Sequence, residues 1–152
     1  MPMLSRTLAA LALGVAAVSF ATAGPAAAGG EETITLVERA TTDTVVDTGP
    51  KGDSVGDILP FANEVYDEAN AKLVGHDNGW CVRTVVGKAW ECIWTLTLEK
   101  GQITAEGPFY DTADSVLAVT GGTGRYDEAS GSMKLHARNE KGTEYDFVYN
   151  LK

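Results

Sequence analysis

The ten residues Ala89–Leu98, AWECIWTLTL, constrain this chain more than any other stretch. Trp90, Cys92, Trp94, Leu96 and Leu98 fall on one parity, and Glu91, Thr95 and Thr97 on the other, broken only by Ile93. An apolar set of period two suits a half-buried strand, whereas a helix would scatter the same residues around its circumference. The preceding segment, Trp80 to Val86, is again rich in Trp, Val and Thr, and Gly87-Lys88 separates the two, so the region reads as a β-hairpin. A turn centred between Val86 and Gly87 pairs residues whose numbers sum to 173, which sets Cys81 directly opposite Cys92. Opposed cysteines on one face are close enough for a disulfide, and a slip of one residue would break the register. The other reading is two independent buried thiols. With only His76 and His136 besides these cysteines, no zinc-binding spacing is present and no metal is expected.

The same period recurs along the chain with turn signals every ten or so residues. Strands are expected at Thr33–Glu38, Asp57–Tyr66, Lys72–Val86, Ala89–Leu98, Gln102–Glu106, Ser115–Thr120, Ser132–Ala137 and Thr143–Leu151, with Thr41–Val55 a long polar loop. Eight short antiparallel segments make an all-β chain, a closed up-and-down barrel or a sandwich. Closure removes exposed edges, and an eight-stranded barrel can hold one small ligand. Phe147, Tyr149 and Leu151 alternate with Asp146 and Asn150, and Met133, Leu135 and Ala137 alternate with Lys134, His136 and Arg138. The interior is therefore apolar and aromatic, with Phe61, Trp90, Cys92, Trp94, Leu96, Phe147 and Tyr149 as expected cavity-lining residues. Parity alone leaves a filled core and an apolar pocket as equal alternatives.

Residues 1–28 stand apart. Arg6 is their only charge, the run from Leu8 to Ala23 is nearly all Ala, Leu, Val and Gly, and Ala26-Ala27-Ala28 supplies small residues for cleavage. This reads as a signal peptide ahead of a domain spanning residues 29–152, and hence as a secreted protein with no membrane span after cleavage. The net charge of −9 becomes −10 once Arg6 is removed, which disfavours nucleic-acid binding and a basic membrane-surface role. Val119 to Gly124, VTGGTG, resembles a dinucleotide loop. However, Arg125, Tyr126 and Asp127 follow where a third small residue and a helix are needed, so these glycines read as turn residues. His76, among turn formers, reads as a loop residue, Asp111 and Asp114 as solvated or capping carboxylates, and Glu31-Glu32 as a frayed start.

Four blocks in order carry a family resemblance: Gly56-Asp57-Ile-Leu-Pro-Phe-Ala-Asn63-Glu-Val-Tyr66; Val74-Gly75 through Gly79-Trp80-Cys81-Val82; Gly107-Pro108-Phe109; and Asp114-Ser115 through Gly122. They resemble the allene oxide cyclases, and Gly121 to Tyr126 with Ala129 and Gly131 is similar to the glycine-rich signature of dirigent proteins. The resemblance implies an all-β, closed eight-stranded antiparallel barrel of calycin-like outline with an apolar cavity, assembled as a homotrimer. It implies a cyclase or isomerase acting on a small hydrophobic molecule, with Glu38, Asn63 and Cys81 as catalytic candidates. Pro50 matches the family's water-holding proline only across a three-residue insertion. Cys92 has no counterpart in the plant enzymes, and a bond to it would remove any role for a free Cys81 thiol. Ring closure guided by shape implies no cofactor. Two other readings are a dirigent-like barrel that steers a reactive intermediate and a secreted, non-enzymatic carrier of hydrophobic ligands. Glu38 shares a face with Ile34 and Leu36, so it either reaches the interior beside Asn63 or lies in solvent where the strand frays.

Overall fold

A computed structural model describes residues 30–152, and the signal-peptide reading of residues 1–28 lies outside the described residues. Eight strands follow one another: β1 (Glu32–Arg39), β2 (Ile58–Asp67), β3 (Leu73–Val85), β4 (Ala89–Leu98), β5 (Gly101–Tyr110), β6 (Ser115–Gly124), β7 (Gly131–Ala137) and β8 (Glu144–Leu151). Each pairs antiparallel with the next, and β8 pairs with β1, from Glu32 opposite Leu151 to Arg39 opposite Glu144. The sheet thus closes into a barrel. Between β3 and β4 the sum of 173 holds from Gly75 opposite Leu98 to Arg83 opposite Trp90, with a bulge only next to the turn. Cys81 and Cys92 are partners in that register and form a disulfide.

Inward parity survives as expected on β4 and β8, but one half of the barrel is packed solid. Leu96, Ile103, Leu117, Met133, Val65 and Tyr149 are buried there, and the Trp94 indole N–H donates to the Tyr149 hydroxyl at 3.2 Å. Each large apolar side chain so buried contributes roughly 1.5–3 kcal/mol. Ala137, expected inside, is exposed because β7 ends there at the opposite rim.

Several expectations need correction. Gly121 to Gly124 are not a turn but the last residues of β6, paired with Thr104 to Gly101 on β5. Only Gly124 of the three glycines has a positive φ, at 62°. Gly122 is needed for close approach, since a Cβ there would stand 2.3 Å from the Tyr126 carbonyl oxygen as the chain folds back over the strand. His76 is not in a loop but on the outer face of β3, opposite Glu64 and Thr97. Strand β5 continues through Gly107 and Pro108, opposite Cys92 and Glu91, beyond its expected end at Glu106. Glu32 opens β1 and pairs with Arg125 at 2.9 Å rather than fraying.

The long connection from β1 to β2 is held down at the rim where β3 meets β4. Val46 bridges to Ile58. Asp57 is fully buried and accepts from the Thr48 and Ser54 amides at 3.0 and 2.8 Å and from the Ser54 hydroxyl at 3.0 Å. Those donors hold its carboxyl below the ordinary aspartate range, the Thr48 amide most strongly. Arg83, also buried, donates its amide to the Asp57 carbonyl, and its guanidinium pairs with Asp111 and lies 3.9 Å over the Trp90 ring. Its Nε is 2.6 Å from Asp53 Oδ1 without the direction of a hydrogen bond. Asp111 is thus no idle loop carboxylate: it receives Arg83 at 2.8 Å and the Trp90 indole N–H at 3.1 Å.

Candidate functional site

Strand β1 does not fray before residue 38. It runs to Arg39, whose guanidinium lies 3.6 Å over Tyr66 on the outside, so Glu38 is turned inward and is only 5% exposed. On the neighbouring strand, Asn63 points the same way and its Nδ2 donates to Glu38 Oε1 at 2.8 Å. The same Nδ2 donates to Asp43 Oδ1 at 2.7 Å, and Asn63 Oδ1 accepts from the Thr41 and Thr42 amides and the Thr42 hydroxyl, all at 3.0 Å. Every polar atom of this amide is therefore engaged within the protein. Asn63 orients the carboxyl and anchors the loop, leaving nothing free for a ligand.

A third acidic residue completes the cluster. Asp77, opposite Asn63 on β3, is fully buried, and its Oδ1 accepts from the Asn63 backbone N–H at 3.3 Å. Its Oδ2 is buried without a hydrogen-bond partner among the described residues, close enough to Glu38 for the two carboxyls to feel each other's charge. Two neighbouring carboxyls buried together disfavour double ionisation, so one tends to keep a proton. Burial pushes Asp77 up to about 7, and burial with the Asp77 charge pushes Glu38 well above the ordinary glutamate range. The pair thus holds a proton at neutral pH, as coupled acids do.

Glu38 and Asp43 edge a cleft of about 70 Å³ whose other walls are mainly apolar, with Phe61, Trp94, Phe109, Phe147 and the Cys81–Cys92 disulfide among them. Trp94 and Phe147 are stacked with centroids 5.5 Å apart, and Phe61 meets Trp94 edge-on. Phe109, Leu135 and Tyr145 are shared with a polar bowl of about 550 Å³ between the β5–β6 and β7–β8 loops. The bowl is the larger space, and the buried acid borders the cleft instead. Tyr145 sits beside Glu38 across the β1–β8 pairing, and burial with the Glu38 charge pushes its hydroxyl up to about 12, so it stays neutral.

The structure brings together Glu38, Asn63, Phe61, Cys92, Trp94 and Phe147. Trp90, Leu96 and Tyr149, expected as lining, are not at the cleft: Trp90 is capped by Arg83, Leu96 is packed in the solid half, and Tyr149 lies behind Trp94. Cys81 lies on the wall, but as half of the disulfide it offers no thiol. Asp77, Asp43 and Tyr145 were not singled out from the sequence. Parity within the expected strand Lys72–Val86 points to Asp77, which alternates inward with Gly79, Cys81 and Arg83, but the turn formers around His76 draw the segment to a loop reading instead. Asp43 carries no such signal, because a loop alone places it.

These features define a class: a small barrel with a proton-holding acid set at the edge of an aromatic cleft. The allene oxide cyclase family model matches residues 36–139, and the chain belongs to that family. A solved structure described as a pyocyanin demethylase is similar at 28% identity, covering 78% of this chain and 100% of that one, with a TM-score of 0.67. A pterocarpan synthase dirigent protein matches 89% of this chain and 96% of its own at 13% identity and TM-score 0.64. A Diels-Alderase from Streptomyces koyangensis covers 83% and 72% at 14% identity and TM-score 0.60. The last two likenesses show the shared barrel alone.

Proposed function

We propose that this barrel is an isomerase of the cyclase type that closes a ring in a small hydrophobic substrate. The reading rests on one observation above others, the Glu38–Asp77 carboxyl pair retaining a proton beside a cleft walled by aromatic rings. A carboxylic acid kept neutral by burial can donate to an epoxide or carbonyl oxygen as the C–O bond polarises. The faces of Trp94 and Phe147 stabilise positive charge developing on carbon, and the narrow cleft limits which ends can meet. Isomerisation has no net proton change, so the proton lent by Glu38 returns to it from the product. Family membership supports the same class.

A second reading, a dirigent-like or carrier barrel that binds without chemistry, is favoured by the small size of the cleft, about 70 Å³. The two separate on a small aryl-substituted vinyl epoxide. The cyclase gives one enantiomer of ring-closed product, and Glu38→Gln removes turnover with the circular dichroism spectrum unchanged. Undiminished turnover in Glu38→Gln would end the cyclase reading.

The protein is proposed to be secreted after removal of residues 1–28, with which a disulfide is compatible. It is also proposed to form a homotrimer. An exposed outer strip bearing Trp80 opposite Ile93 and Pro60 supplies apolar surface for copies to meet. Sedimentation of the mature protein as a monomer at tens of micromolar would remove that assembly.

A further inference from the structure

We propose that the ligand taken by the cleft is a planar aromatic cation and that carboxylate-bearing molecules are turned away. The inference rests on the reading of the cleft as the ligand site and adds the charge of what enters it. Glu38 and Asp43 line the cleft, Asp77 stands behind Glu38, and no Lys, Arg or His is among the lining residues. Nearby cations are already committed. Arg83 is held by Asp53, Asp111 and the Trp90 face, Arg39 lies outside against Tyr66 and Asn70, and at the bowl Arg138 and His136 pair with Asp146 and Asp114. An entering carboxylate would therefore meet like charge and lose its hydration with no partner to replace it.

A cation meets the reverse situation. The faces of Trp94 and Phe147, stacked 25° from parallel, attract positive charge, with the carboxyl groups of Glu38 and Asp43 at the rim. The cleft shares Phe109, Leu135 and Tyr145 with the bowl, so a bicyclic molecule would straddle the two. The groups facing the Glu38–Asp77 pair are Asn63 from β2, Asp43 from the loop, and Tyr145 and Tyr149 from β8, none of them cationic.

Three isosteric probes test this: N-methylquinolinium, naphthalene and 2-naphthoate, each titrated at pH 7 into the mature, disulfide-bonded protein and followed on the Trp94 indole N–H resonance. The cation is expected to bind at least tenfold tighter than naphthalene and the naphthoate not to saturate. Glu38→Gln and Asp43→Asn should lower the cation's affinity while leaving naphthalene's unchanged. Equal affinity for all three probes overturns the charge preference and leaves the cleft as a ligand site. Tighter naphthoate binding overturns it outright, and no shift of Trp94 with any probe removes the cleft reading as well.

Discussion

Asp57 and Asp77 are both fully buried aspartates, yet the protein treats them in opposite ways. Asp57 lies in the loop knot, where two amides and a hydroxyl point at its oxygens and its carboxyl is held below the ordinary range. Asp77 lies inside the barrel, where one long amide contact and another acid are its company, and it is pushed up to about 7. Burial alone therefore does not set the charge state; the supply of donors does. The knot uses an ionised carboxylate to fasten a loop, and the barrel keeps its acid protonated, a state of use in chemistry and of little use for stability.

That contrast is tested most severely by truncation. Asp57→Ala removes the acceptor of the Thr48 and Ser54 amides and of the Ser54 hydroxyl and is expected to lower the melting temperature by roughly 10 to 15 °C. Glu38→Gln, which keeps a group able to meet Asn63 and Asp77, should shift it by less than about 5 °C. Equal losses measured by scanning calorimetry would erase the distinction between the two regions. Next in size is the disulfide between them. Replacing Cys81 and Cys92 together by Ala should cost about 2 to 3 kcal/mol in urea unfolding, as for a short closed loop, without altering how stability depends on pH.

The pH dependence itself separates the regions by sign. Asp77 titrates higher in the fold than in the unfolded chain, so its protonation stabilises the protein in acid, and that contribution falls as pH rises from about 4 through about 7. The slope is about 1.4 kcal/mol per pH unit for each proton the fold retains. Asp57 titrates lower in the fold, so its contribution is present above the ordinary aspartate range and is lost as pH falls through it. The Glu38→Gln, Asp77→Asn double variant should flatten the upper slope and leave the acid limb intact. A slope surviving in that variant would place its origin elsewhere.

Much of this was legible in the sequence, for identifiable reasons. The hairpin register follows from parity and one turn, and it placed Cys81 against Cys92 because a strand pairing allows few alternatives. Glu38 with Asn63 was visible as a carboxylate on an apolar stripe next to an amide. What stayed hidden depends on contacts distant in sequence. Trp90 has the same parity as Trp94, and only Arg83 folding over it removes it from the cleft. Asp43 comes from a loop that no periodicity describes, and Gly121 to Gly124 passed for a turn because glycines required by a close backbone read the same as glycines required by a bend.

The smallest expected effect is the most diagnostic of the barrel's acid. Glu38→Leu removes a group whose ionisation is costly at its site, so at pH 8, where the wild-type pair is being forced to ionise, the variant should gain on the order of 1 kcal/mol. At pH 5 the wild-type pair is protonated, and the leucine forfeits the bond to Asn63, so the gain should vanish or reverse. The stability curves of wild type and variant must then cross between those values. Asn63 keeps Asp43 as an acceptor in the variant, which holds the loss at low pH to a single bond. Parallel curves in urea titrations across this range would mean that Glu38 does not carry the retained proton, and would move that role to Asp77 alone.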